Sequence, residues 1–188
     1  KYASNAFLAT KISFMNDIAK LCDTSGANIH DVRLGMGSDP RIGESFLYAG
    51  LGYGGSCFPK DVNALISFFE ERDIEEPLIK MTKRVNETQL DYFFKKISNE
   101  YHDLSNKNFA IWGLTFKPNS DDVRESVAIK LIKKLSPLVE NLKIYDPLIL
   151  EHPKEIKDLT NIEFSKDKYS ALDGCNGLII CTEWKEFW

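Results

Sequence analysis

The opening stretch of the chain, Tyr2 to Ser25, contains neither proline nor glycine and carries apolar side chains along two faces of a helix at once. One stripe is Leu8, Ile12, Met15, Ala19 and Cys22; the other is Phe7, Phe14, Ile18 and Leu21. Both follow helical spacing, so the segment is predicted to be a single long helix. A helix that is apolar on two sides has to be covered twice. Its own domain supplies one cover, and a second copy of the chain is expected to supply the other, as a homodimer through this first helix. Gly26 is the expected stop, because glycine accepts the left-handed backbone on which helices commonly end.

Further helices are predicted over His30 to Met36, over Val62 to Arg72, and from Pro77 to about Tyr101, where the proline suits a first helical turn. A Gly-rich stretch from Gly37 to Pro59 separates the first two. Composition changes after Ser105-Asn106-Lys107. The run Phe109 to Leu114 reads as a buried strand, Val127 to Val139 as a helix, and Leu142 to Tyr145 as a strand. A helix near Lys168 to Asp173 and a strand over Leu178 to Cys181 follow. That alternation is the α/β pattern of a parallel sheet with crossover helices. Ligands on such sheets bind beyond the carboxyl ends of the strands, which is where Thr115 to Arg124 lies.

A hydrophobic content of 43% suits a globular protein of 188 residues, and a net charge of -4 gives no overall attraction to nucleic acid. No apolar run approaches the roughly 20 residues of a membrane helix, and no basic-then-apolar leader opens the chain. The four cysteines, Cys22, Cys57, Cys175 and Cys181, lack paired spacing and the three histidines are scattered, so neither a metal site nor a disulfide framework is expected. A reducing cytoplasm is the expected compartment. Gly50-Leu51-Gly52-Tyr53-Gly54-Gly55 fits the dinucleotide fingerprint, but no buried strand precedes it and a helix is predicted where the second strand belongs. It is set aside.

The chemistry concentrates in Gly54-Gly55-Ser56-Cys57-Phe58-Pro59-Lys60-Asp61. A cysteine in a Gly-Gly turn, with an ammonium and a carboxylate close by and a helix expected to begin near Asp61, has the surroundings of an activated thiol. On the residues alone, a small apolar cysteine ahead of a helix is the more ordinary reading, and Asp61 reads as either a helix cap or a base. Lys1 and Asn5, four apart, share one helical face; they read as a solvated helix start or as donors at a site. Arg41 is suited to bidentate contact with phosphate. Asn119 to Asp122 is by itself an ordinary polar turn.

Three segments carry a resemblance that decides among these readings: Lys1-Tyr2-Ala3-Ser4-Asn5-Ala6-Phe7-Leu8-Ala9-Thr10-Lys11-Ile12-Ser13, Arg41-Ile42-Gly43 ahead of Phe46-Leu47 and the cysteine turn, and Gly113-Leu114-Thr115-Phe116-Lys117-Pro118-Asn119-Ser120-Asp121-Asp122-Val123-Arg124-Glu125-Ser126. In order and spacing the chain closely resembles the UDP-glucose/GDP-mannose 6-dehydrogenase family. The resemblance implies an all-α central dimerisation domain over residues 1–104, followed by an α/β Rossmann-like nucleotide-binding domain over residues 105–188. It implies NAD-dependent four-electron oxidation of UDP-glucose to UDP-glucuronate. Cys57 is then the nucleophile, Lys1 and Asn5 stabilise the reacting oxygen, and Asp61 activates water. Arg41, Phe46, Leu47, Tyr48, Tyr53, Gly54, Phe116 and Lys117 are expected to hold the UDP-sugar, and Lys60 and Arg124 to reach the NAD. Arg41 is expected to act on the neighbouring subunit. The chain starts without Met and stops within Glu183-Trp184-Lys185-Glu186-Phe187-Trp188; with the family's amino-terminal coenzyme domain expected before it, the sequence reads as a piece of a longer protein whose NAD is bound mainly elsewhere. Competing readings are a dehydrogenase for GDP-mannose or another nucleotide sugar, and a non-catalytic nucleotide-sugar-binding or dimerisation module. A cysteine hydrolase has no histidine near the thiol.

Overall fold

Four helices come first, and a parallel sheet of four strands follows them. The computed structural model describes residues 1–188, which form two compact units, Lys1–Leu90 and Asp91–Trp188.

In the first unit, α1 (Tyr2–Ser25) ends as anticipated on Gly26, left-handed at φ 74°, whose N–H donates to Cys22 O at 2.9 Å. Its inward face is made of small and polar residues as well as apolar ones: Ala6, Ala9, Ser13, Met15, Asn16 and Cys22 are buried. The small residues let α1 and α3 (Phe58–Glu70) approach closely around a core of Ala6, Ala9, Tyr53, Val62 and Ile66. Ser13 Oγ donates to Thr82 O at 2.9 Å and so ties α1 to α4 (Pro77–Tyr101). On the other stripe, Phe7 is 66% exposed, Phe14 49% and Leu21 62%. This unit covers α1 once.

Two boundaries differ from expectation. The short second helix, α2, runs Ile29–Gly37, with the Asn28 side chain accepting from His30 N–H at 2.8 Å. The third helix starts at Phe58 and not near Asp61, because Pro59 fits a first turn that needs no N–H there. No strand precedes Gly50 to Gly55, which is loop leading into α3.

The last turns of α4 belong to the second unit. Lys134 pairs with Asp91 and lies 4.8 Å over the Phe94 ring. Tyr101 meets Phe109 edge-on at 5.0 Å and donates from its hydroxyl to Asn176 O at 2.8 Å. The sheet order is β3-β2-β1-β4, with β1 (Asn108–Trp112), β2 (Asn141–Tyr145), β3 (Ile162–Phe164) and β4 (Gly177–Ile180) all parallel. Strand order reverses between β1 and β4, and such a reversal opens a crevice at the carboxyl ends of an α/β sheet. Central β1 is buried on both faces, Phe109 and Ile111 on one, Ala110 and Trp112 on the other. Ala110 and Trp112 pack with Ala171, Trp184 and Phe187.

Helix α5 (Val127–Leu135) buries Ala128, Ile129, Leu131, Ile132 and Leu135. It is shorter than its apolar period suggests, since Pro137 turns the continuation into a 3-10 segment, Ser136–Leu138. The helix expected near Lys168 to Asp173 is one 3-10 turn, Ser170–Leu172, fixed by Asp167 Oδ1 accepting from the N–H groups of Tyr169 and Ser170. Strand β3 gave no signal in the sequence: three residues at the sheet edge, none of them buried, make no apolar run. No helix is long and apolar enough to cross a membrane.

Candidate active site

Cys57 occupies the cap position of α3 and is exposed. Gly55, at φ 78°, bends the chain into that position. Ser56 Oγ lies 3.8 Å from the thiol sulfur. Asp61 is not the cap. It sits one turn inside the helix, its N–H donating to Cys57 O at 2.8 Å, and only 1% of it is exposed. The buried carboxylate is met by α1: Asn5 Nδ2 donates to Asp61 Oδ2 at 2.6 Å. Lys1 caps α1 at the exposed end of the same helix, and its carbonyl accepts from Asn5 N–H at 3.0 Å. The structure thus joins Asn5 to Asp61 across the head of α3. Lys60, beside Asp61, points its exposed end to solvent.

The loop before the thiol is lined with rings. Phe46, held at φ 64°, contacts Tyr48 at 5.9 Å and Phe58 at 5.9 Å between centroids, and Tyr53 meets Phe58 nearly edge-on at 6.0 Å. Leu47 and Tyr53 are buried, Tyr48 is exposed, and the Arg33 guanidinium lies 5.5 Å over the Tyr48 ring. Burial, followed by the charge of Glu87, pushes the Tyr53 phenol up to about 12. Leu47 and Tyr53 therefore support the loop from within, while Phe46, Tyr48 and Gly54 keep accessible surface.

Arg41 chelates Asp39: Nε donates to Oδ1 at 3.0 Å and Nη2 to Oδ2 at 2.5 Å. The guanidinium holds the Asp39 carboxyl below its ordinary range, while 87% of the Arg41 side chain stays in solvent. Arg124 in the second unit repeats the arrangement with Asp122, at 3.0 and 2.7 Å. Both arginines follow an aspartate by two residues, so the carboxylate and the turn it makes aim the guanidinium outward.

Also in the second unit, Gly113 leaves β1 at φ 90°, so close to Thr182 that an added Cβ would stand 2.5 Å from the threonine Cβ. Thr182 Oγ1 donates to Thr115 O at 2.6 Å. The fully buried Asp146 accepts from Leu114 N–H at 2.7 Å with one oxygen and from Leu148 N–H at 2.9 Å with the other. These bonds fix the loop that carries Phe116 and Lys117. Lys117 Nζ stands 5.4 Å over the Phe116 ring, with the ring half-buried and the ammonium exposed. A flat apolar face beside a cation suits a nucleobase with its phosphates. Neither Asp146 nor Thr182 stands out in the sequence; the one trace is the Asp146-Pro147 pair at the end of a strand.

Residues 1–88 match the central domain of the UDP-glucose/GDP-mannose dehydrogenase family, and residues 110–188 match its UDP binding domain. The chain is 42% identical over 186 residues to the UDP-glucose 6-dehydrogenase YwqF of Bacillus subtilis and 44% identical over 191 residues to that of Rickettsia conorii. These matches take in 99% and 100% of the chain and 42% and 44% of the relatives' own length. A UDP-glucose dehydrogenase from Pyrobaculum islandicum, 38% identical, superposes with a TM-score of 0.91 over the whole chain and 43% of that protein. A UDP-D-ManNAc dehydrogenase from Pyrococcus horikoshii, at 24% identity and a TM-score of 0.81, shares the fold. With both domains matched in order and the relatives aligned from end to end of the chain, the protein belongs to the UDP-glucose/GDP-mannose dehydrogenase family.

Proposed function

We propose that this chain supplies the nucleophile and the nucleotide-binding surface of an NAD-dependent UDP-glucose 6-dehydrogenase, which oxidises UDP-glucose to UDP-glucuronate. The observation that carries the proposal is the group at the head of α3: an exposed Cys57, a buried Asp61 one turn on, and Asn5 bonded to that carboxylate at 2.6 Å. Taking a primary alcohol to an acid removes two hydrides, and NAD, when bound, supplies the hydride acceptor. The cations of this chain suited to an anionic coenzyme are Arg124, aimed outward by Asp122, and Lys60.

The residues of the chain divide the remaining work. Lys1 and Asn5 stabilise negative charge developing on the sugar oxygen as the alcohol loses its proton; donors so placed are typically worth about 3–4 kcal/mol. Cys57 sulfur adds to the aldehyde carbon, giving a thiohemiacetal, and loss of the second hydride leaves a thioester on the same sulfur. Asp61 accepts a proton from the water that attacks the thioester carbonyl, and the thiol departs as the carboxylate is released. Phe116 and Lys117, on a Rossmann-like sheet, hold the base and phosphates of UDP. Phe46, Leu47, Tyr48, Tyr53, Gly54 and Arg41 form the sugar-nucleotide loop, with Arg41 serving the neighbouring subunit of a dimer built through α1 in the cytoplasm.

The test is NADH production by the full-length protein from a panel of UDP- and GDP-sugars. UDP-glucose is expected to lead, with two NADH formed per sugar. A preference for GDP-mannose would transfer the proposal to another nucleotide sugar. Nucleotide-sugar binding with no oxidation of any panel member would reduce the chain to a binding or dimerisation module.

A further inference from the structure

Three side-chain amides, those of Asn16 and Gln89 buried and that of Asn86 half-buried, converge on the short loop between Leu47 and Cys57. Asn86, on α4, pairs with Tyr53 in both directions: Tyr53 N–H donates to Asn86 Oδ1 at 2.7 Å and Asn86 Nδ2 donates to Tyr53 O at 3.0 Å. One turn on, Gln89 Nε2 donates to Gly50 O at 2.8 Å, and from α1 Asn16 Oδ1 accepts Gly50 N–H at 2.8 Å. Gly52 stands between these points at φ 111°, where an added Cβ would lie 2.6 Å from Asn86 Oδ1. The backbone from Gly50 to Tyr53 is thus held at both ends by side chains from two helices.

Stability alone does not account for the clamp. Asn16 is 0% exposed and Gln89 5%, yet Asn16 Nδ2 and Gln89 Oε1 have no hydrogen-bond partner. A buried polar atom without a partner costs stability, and an apolar side chain of the same volume would avoid that cost. Gly50 is itself exposed, so water would serve its backbone if the amides were absent. What the amides secure is the position of Tyr53, whose ring packs at 6.0 Å on Phe58, the residue that follows Cys57 and opens α3.

We infer that Asn86, Gln89 and Asn16 are positioning residues for the reacting thiol: they fix Gly50 to Tyr53, and through the Tyr53–Phe58 contact they hold Cys57 at the head of α3. The inference rests on the role proposed for Cys57, but its test does not need turnover. Gln89→Met keeps the side-chain volume and removes both the bond to Gly50 and the unpaired oxygen, so the variant is expected to fold at least as well as the parent. Asn86→Ala removes the two-way bond to Tyr53.

In the full-length protein, Cys57 alkylation by iodoacetamide is followed by intact mass, with Cys57→Ser as background and a thermal melt as control. Each variant is expected to alkylate Cys57 at least threefold more slowly, because a thiol that leaves the helix head loses the positive end that favours its attack. Turnover should fall further than the KM for the nucleotide sugar rises. Wild-type alkylation in a Gln89→Met protein that melts like the parent would overturn the inference, as would slow alkylation found only where the helical signal is already lost at the assay temperature. If the parent oxidised no nucleotide sugar, the proposed activity would fail while the alkylation comparison still decided the role of the clamp.

Discussion

Replacing Asp61 by Asn in the full-length protein separates what this carboxylate does for the fold from what it does for the reaction. The pair with Asn5 is 2.6 Å long and Asp61 is 1% exposed, so it is a buried, charge-assisted hydrogen bond. Such bonds are worth about 1.5–3 kcal/mol net, against about 1 for a neutral pair. Asn at this position can still present an oxygen to Asn5 Nδ2. The substitution therefore exchanges a strong bond for an ordinary one and should cost about 0.5–2 kcal/mol, or a fall of about 1–8 °C in melting temperature for a domain of this size. Oxidation should survive better than release of the acid, because Cys57 can attack the aldehyde without a proton acceptor at Asp61. Water attack on the thioester loses its base, a role typically worth about 100- to 10,000-fold. The assay is rapid mixing with UDP-glucose and NAD, followed by intact mass spectrometry. A burst of NADH, then a slow phase, should accompany a covalent adduct on Cys57, and Cys57→Ala should give none. Slow turnover with unmodified Cys57 throughout would refute the reasoning and move Asp61 to an earlier step.

The exposed stripe of Phe7, Phe14 and Leu21 should hold a dimer, so light scattering at roughly tens of micromolar, well above the dissociation constant of an obligate dimer, should find two copies for the parent and one for Phe14→Glu. Gly113→Ala forces a methyl group to within 2.5 Å of Thr182 at φ 90° and should destabilise the second unit by about 2–4 kcal/mol in urea, whereas Gly174→Ala, also at positive φ but with open space around it, should cost less. The Tyr53 phenol keeps its proton up to about 12 in the fold against an ordinary 10.0, so the stability it contributes is complete below pH 10 and is lost as pH rises from about 10 to about 12; Tyr53→Phe should flatten that alkaline loss in pH-dependent urea melts.

The parts of this fold that were legible in the sequence are those in which one local signal outweighs the rest. Gly26 closes α1 because it alone accepts the left-handed turn there, and Pro77 opens α4 where its missing N–H does no harm. β1, β2 and β4 stand out as apolar runs. Misread elements are those in which the decisive interaction is not periodic. Asp167 and Ser170 close a single 3-10 turn through side-chain bonds to the turn's backbone, although the residues around them read as a helix. Ser13 and Asn16 sit on the buried side of α1, where polarity predicts the solvent side, because Thr82 O and Gly50 N–H wait there for them. For the same reason the loop clamp was invisible: a buried Asn that serves another residue's backbone leaves the same letter in the sequence as an exposed Asn.

The start of α3 shows how a shift of a few residues changes a chemical reading. With the helix beginning near Asp61, the carboxylate would be a cap, its oxygens accepting the first backbone N–H groups and held away from any reaction. With the helix beginning at Phe58, the cap position falls to Cys57, and no side-chain bond is made there. The thiol then stands where the unpaired N–H groups of the first turn create positive potential. The carboxylate one turn later has no backbone duty and turns instead to Asn5 on α1. Pro59 is what permits this, since it takes a first-turn position without giving up a hydrogen bond. The order Cys, Phe, Pro, Lys, Asp thus places the nucleophile at the helix head and the carboxylate one turn below it, on neighbouring sides of a single turn. A shift of the helix start by one turn in either direction would lose one of the two.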